Sequence, residues 1–187
     1  MSTRAGYVLV GGNSSRMGRD KAWLPFHGAT LAQSVAGAVR AAAGTVVLVG
    51  SVRRHALLGY GVVPDIYPGE GPLGGILTAL RNSTADWNLI VACDMPGLPV
   101  DFLRQLLDAA GACGGDVLAP TGPIGRLEPL CAAYHRRSRQ GLYSAFARGV
   151  RKLTVALKEV RTVAWPVAEV SYFQNVNTPE EWAPYDR

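Results

Sequence analysis

The chain has little charge, little cysteine and no long apolar run, and each shortage removes a class of protein. Charged residues make up 18% of the 187 positions against 48% hydrophobic ones, which describes an ordinary globular chain and not a disordered one. No apolar stretch approaches the roughly 20 residues of a membrane span, and the N-terminus lacks the layout of a secretory signal, so a cytoplasmic protein without a membrane partner is expected. Three cysteines, Cys93, Cys113 and Cys131, show neither CxxC nor metal-ligand spacing, and their odd number argues against a disulfide framework. They read as small core residues. His27, His55 and His135 are scattered and advertise no zinc site. The P-loop pattern GxxxxGK[ST] is missing. A GxGxxG does occur, from Gly69 to Gly74, but it follows the turn-like Asp65-Ile66-Tyr67-Pro68 and contains Pro72. It is out of context for a dinucleotide fingerprint and serves better as a turn into a helix.

Lysine is scarce too: three of the 19 cations, the rest arginine, against 14 acids, for a net charge of +5. An excess of arginine suits an anionic ligand. Arginines gather at Arg53-Arg54 and Arg136-Arg137-Ser138-Arg139, with Arg148, Arg151 and Lys152 beyond. No helix-turn-helix, finger or RNA-binding signature accompanies them and no aromatics interleave them, so nucleic acid is not the expected partner.

Against these absences stands LVGGNSSRMGRDK, residues 9–21, which follows the apolar run Gly6-Tyr7-Val8-Leu9-Val10. The run reads as a buried strand. Gly11 and Gly12 let successive backbone N–H groups point at one anion. Arg16 adds a fork for paired phosphate oxygens and Lys21 a compact point charge. Further along, elements alternate. Thr30 caps a helix over Leu31–Ala43 that Gly44 stops; strands are expected at 45–49, 62–64, 87–92 and 116–120, and helices at 72–81 and 102–110. The stretch 153–160 reads either as a solvated amphipathic helix or as a wall of an anion pocket. The alternation predicts one Rossmann-like domain over 1–187, a three-layer αβα sandwich around a mostly parallel sheet. Ligands of such sheets sit beyond the strands' carboxyl ends, where the glycine loop, Asp65 and Asp94 all fall. Asp94 directly follows a six-residue buried strand, and a carboxylate facing a cationic phosphate loop suits Mg²⁺. Asp65 can equally fix a turn with its own backbone. Near the C-terminus, Asn175 and Asn177 alternate on the approach to a well-formed helix start at Thr178-Pro179-Glu180.

Taken in order, LVGGNSSRMGRDK with Leu24-Pro25, Gly71-Pro72-Leu73-Gly74-Gly75, Cys93-Asp94-Met95-Pro96, Glu128-Pro129-Leu130 and Asn175-Val176-Asn177-Thr178-Pro179-Glu180 resemble the molybdenum cofactor guanylyltransferases over nearly the whole chain. The resemblance implies transfer of GMP from GTP to molybdopterin with release of pyrophosphate, the N-terminal half binding nucleotide and the C-terminal part the acceptor. It implies that Leu9, Val10, Gly11, Gly12, Lys21, Asp65 and Asp94 bind the nucleotide. Asp94 also holds Mg²⁺, Arg16 assists the leaving pyrophosphate, and Asn175 and Asn177 lie near the pterin. Molybdenum-insertion proteins and apo-molybdoenzymes are the implied protein partners. Val10 stands where this family usually has alanine, and Ser51 where a longer amide is common. A cytidylyltransferase for the same acceptor, another small NTP transferase, or a non-catalytic nucleotide-binding delivery protein are the alternatives.

Overall fold

A computed structural model describes residues 2–11 and 20–175. Its centre is β1 (Arg4–Leu9), whose alternating side chains reach opposite faces of the sheet. A small hairpin follows, β2 (Pro25–Phe26) and β3 (Ala29–Thr30), turned by His27 at φ 46° and Gly28 at φ 79°. Thr30 then opens α1 (Leu31–Ala43) with a full capping box, its hydroxyl accepting from Gln33 N while Gln33 accepts from Thr30 N; Gly44, at φ 83°, ends the helix. The chain continues through β4 (Val47–Gly50), the short α2 (Val52–His55), β5 (Gly61–Pro64), α3 (Pro72–Asn82) and β6 (Trp87–Ala92). After these come α4 (Val100–Ala112), β7 (Val117–Thr121), β8 (Cys131–His135), α5 (Ser138–Ala147), α6 (Leu153–Ala156) and β9 (Thr162–Pro166).

Seven strands form one sheet in the order β5-β4-β1-β6-β8-β7-β9. All neighbours are parallel except those of β8, which runs against both β6 and β7. On one face α1 and α4 cover Val8, Val10, Leu89, Val91 and Leu118; on the other α3, α5 and α6 cover Tyr7, Leu9, Ile90, Ala119 and Tyr134. The expected three-layer αβα sandwich with a mostly parallel sheet is therefore the fold.

The differences lie at ends and in the C-terminal third. Strand β4 spans Val47–Gly50 where 45–49 was expected, and β7 is shifted by one residue. The stretch 153–160 is one turn of α-helix followed by a 3₁₀ turn, Leu157–Glu159, with Leu153, Ala156 and Leu157 buried against the sheet. It is a packing element and not a solvated helix. Strands β8 and β9 and helix α5 were not expected from sequence. Among the described residues, no helix is long and apolar enough to cross a membrane. The expected helix start at Thr178 lies outside the described residues.

Candidate active site

The carboxyl ends of β1, β5 and β6 carry Leu9, Val10, Gly11, Asp65 and Asp94 of the predicted site residues, and backbone hydrogen bonds past the strand ends, two of them to β4, hold them there. Val10 N donates to Val49 O at 3.0 Å, Cys93 N to Leu9 O at 3.1 Å and Asp65 N to Gly50 O at 3.2 Å. The side chains of Leu9 and Val10 are both buried. Val10 faces Gly50, where any Cβ would come within 2.8 Å of its Cγ2. Its extra methyls relative to alanine therefore fill the core above Gly50, and the backbone remains the part of this residue that a ligand can use.

The motif from Gly71 to Gly75 has a packing reason. Gly71 adopts φ 75°, which favours glycine, just before α3. A Cβ at Gly74 would come within 2.9 Å of Tyr67, and one at Gly75 within 3.2 Å of Leu9. The two glycines thus let the first turn of α3 lie directly against the ends of β1 and β5.

Lys21 and Asp94 come together: Lys21 Nζ lies 3.5 Å from Asp94 Oδ2, with side chains 17% and 21% exposed. Asp94 Oδ1 is buried and has no hydrogen-bond partner among the described residues. A half-shielded carboxylate with one oxygen beside an ammonium and the other unpartnered suits a hard cation. Mg²⁺ takes one or two carboxylates and completes its shell with phosphate oxygens and water, so a crowded ligand set is not needed. Accordingly, no cluster of three acidic, histidine or cysteine ligands is found among the described residues. Next door, burial and then the Asp94 carboxylate push the Cys93 thiol up to about 12. Cys93 is therefore an inert thiol in the wall of the site.

Two interlocks were not visible in the sequence. Asp20 caps the 3₁₀ turn Lys21–Trp23 by accepting from Ala22 N at 3.1 Å, and its other oxygen meets Nε2 of the buried His55 at 3.0 Å. Trp23 Nε1 donates to Arg54 O, so α2 clasps the turn that presents Lys21. The second interlock holds Asp65, whose Oδ1 accepts from Tyr67 N at 3.0 Å and from the Thr78 hydroxyl at 2.9 Å. The turn-fixing reading of Asp65 is therefore the one these contacts display, both of them made through Oδ1. Sequence offered no handle on either lock, because Asp20 and His55 are 35 residues apart and Asp65 and Thr78 are 13 apart.

Asn175 lines a cleft of about 410 Å³ together with Met95, Leu127, Glu128 and Leu130. Its Oδ1 is buried without a partner among the described residues. Gly12, Arg16 and Asn177 lie outside the described residues. Several clustered arginines have other employment: Arg151 pairs with Glu70 and covers the Phe146 ring at 4.0 Å, Arg148 pairs with Glu159, and Arg137 and Arg161 flank Asp116.

The fold defines a class, the α/β nucleotidyltransferases, and Lys21 and Asp94 meet beyond the ends of its parallel strands. The profile described as MobA-like NTP transferase domain matches residues 6–161, and the chain belongs to that family. It is 33% identical over 192 residues to a probable molybdenum cofactor guanylyltransferase of Bacillus cereus strain Q1, covering 97% of this chain and 95% of that one. Among solved structures it superposes with a TM-score of 0.83 on molybdopterin-guanine dinucleotide biosynthesis protein A from Archaeoglobus fulgidus, at 27% identity and covering 97% and 96% of the two chains. A putative protein from Aquifex aeolicus shares the fold at a TM-score of 0.80 and 21% identity, over 95% of this chain and 96% of that one.

Proposed function

We propose that this protein transfers GMP from GTP to the terminal phosphate of molybdopterin. An acceptor phosphate oxygen attacks the α-phosphorus, the bond to the β-phosphate bridge breaks, and pyrophosphate leaves with the electron pair. The observation that carries the reading is the pairing of Lys21, from the 3₁₀ turn, with Asp94, just past β6, the second Asp94 oxygen being buried and without a partner among the described residues. The relatives named above supply the base and the acceptor.

Transfers of this kind depend on positioning and charge stabilisation and need no protein nucleophile. The backbone of Leu9, Val10, Gly11 and Gly12 lines the nucleotide, and Asp65 orients its nucleoside end. Lys21 neutralises the α-phosphate as the acceptor closes in, and Arg16 steadies the departing pyrophosphate. Mg²⁺ held by Asp94 supplies further charge neutralisation on the phosphate oxygens when bound. Asn175 and Asn177 orient the acceptor. A cytoplasmic location goes with these substrates, and molybdenum-insertion proteins and apo-molybdoenzymes are the partners such a product implies.

The test is pyrophosphate release from each of the four nucleoside triphosphates with and without molybdopterin, in Mg²⁺ and in chelator. Release is expected from GTP alone, only with acceptor, and only with the cation. Preference for CTP overturns the base assignment, and GTP binding without turnover assigns the protein to nucleotide or cofactor delivery instead.

A further inference from the structure

The cleft that holds Asn175 contains a carboxylate to which no role has been given. Glu128 lines it, with a side chain only 20% exposed. The residue is pinned from both sides: its N–H donates to Pro120 O at 2.8 Å and its carbonyl accepts from Cys131 N at 3.1 Å. The next carbonyl, that of Pro129, accepts from the buried Tyr134 hydroxyl at 2.7 Å. The backbone that presents this carboxylate is therefore set before any ligand arrives.

What Glu128 has for company is weak. The charged neighbour is Arg126, whose Nε lies 3.7 Å away on a side chain 76% exposed, and an exposed pair of this length contributes little. Burial outweighs that guanidinium and raises the Glu128 carboxyl above its ordinary value. A largely desolvated acceptor with so loose a partner is costly unless something else donates to it. The rest of the lining says what shape that donor has. Met95, Leu127, Leu130 and Leu153 make the walls apolar, as a flat ring requires, while Asn175 Oδ1 adds a buried acceptor without a partner among the described residues. A carboxylate is matched best by two parallel N–H groups, which it takes as a fork.

We infer that Glu128 is a specificity residue of the acceptor subsite, reading the 2-amino and ring N–H edge of the pterin as a two-bond fork while the apolar walls of the cleft hold the ring. The inference rests on the proposed function for the identity of the acceptor. Guanine carries the same amino-pyrimidinone edge, but the cleft is lined by the start of α3, the 125–130 loop before β8, α6 and Asn175, with Met95 beside Asp94 at its border, whereas Asp65, the group that orients the nucleoside, lies past β5, beyond β4 and β1 in the sheet. Glu128 is accordingly assigned to the pterin and not to the base of GTP.

The test compares the purified protein and Glu128→Gln, checked by thermal melting, with two free rings followed by their own fluorescence. One is pterin; the other is lumazine, in which a carbonyl replaces the 2-amino group. Wild type is expected to bind pterin at least about tenfold more tightly than lumazine, one charge-assisted bond's worth, and Glu128→Gln to lose that discrimination. In the transfer assay the variant raises KM for the acceptor by a similar factor and leaves KM for GTP and the GTP-to-ITP preference unchanged. Equal binding of the two rings by wild type, or binding of neither, overturns the inference even if GMP transfer proceeds. A changed GTP-to-ITP preference overturns it by moving Glu128 to the nucleotide. Pterin discrimination without GMP transfer leaves the inference standing and removes the proposed function. Should Glu128→Gln not fold, Glu128→Asp, which keeps the charge and withdraws the carboxylate from the ring, takes its place, and unchanged discrimination in it overturns the inference.

Discussion

The two ends of the sheet handle polar groups in opposite ways. Around β1, β4 and β5 the carboxylates are already engaged: Asp20 with His55 and the Lys21 turn, Asp65 with Thr78 and Tyr67. Around β8, the cleft keeps its acceptors open, with Glu128 loosely paired and Asn175 Oδ1 unpartnered among the described residues. The first arrangement pre-positions charge for a triphosphate, which any nucleotide shares. The second leaves hydrogen-bonding capacity for the one ligand that fits. The difference teaches that a substitution beside the parallel strands should disturb geometry at a distance, whereas one in the cleft should act on a single binding constant.

Three substitutions would break or sharpen that contrast. Asp94→Ala, at the boundary between the two ends, is expected to lower kcat for GMP transfer by on the order of 10³-fold, measured as pyrophosphate release at saturating substrates. Turnover within tenfold of wild type removes Asp94 from the chemistry. Smaller is the effect of His55→Gln, which loosens the clasp on Asp20 without touching substrate. A loss of about 10- to 100-fold in kcat/KM for GTP, with KM for the acceptor unmoved, is expected; equal losses for both substrates would erase the distinction between the two ends. Least disturbing to catalysis is Asp116→Asn, far from both. Arg161 and Arg137 hold the Asp116 carboxyl well below the usual aspartate range. A carboxylate lowered in the folded state adds stability at neutral pH that fades as pH falls below its unfolded value of about 4. The variant should be less stable at pH 7 by about 2 kcal/mol, the gap should narrow in acid melts, and the kinetics should not change.

The same division explains what was legible in the sequence. Strand β6 and helix α1 match their predicted bounds because local signals agree: six consecutive strand residues in one, a capping threonine and a stopping glycine in the other. Asp94 stands out in the sequence because it comes just after strand β6, and Lys21 because it closes the glycine-rich motif that follows β1. Strand β8 escaped because Cys131-Ala132-Ala133-Tyr134-His135 is short and alanine-rich, so only its pairing with β6 and β7 makes it a strand. Helix α5 was hidden by arginines that read as a charged patch, although Leu142, Ala145 and Phe146 pack inward. His55 looked like one of three scattered histidines. Its role is defined by a contact with Asp20, and contacts between distant residues leave no local trace.

Lys21 and Asp94 stand 3.5 Å apart, each neutralising part of the other's charge. An anion drawn to Lys21 meets the repulsion of Asp94, and a cation drawn to Asp94 meets that of Lys21. When both come, each removes the other's penalty. With Lys21 taking the triphosphate and Asp94 the divalent ion, as proposed above, their binding would be a linked equilibrium in which either ligand tightens the other by the same factor, and the site would discriminate against both when they come alone.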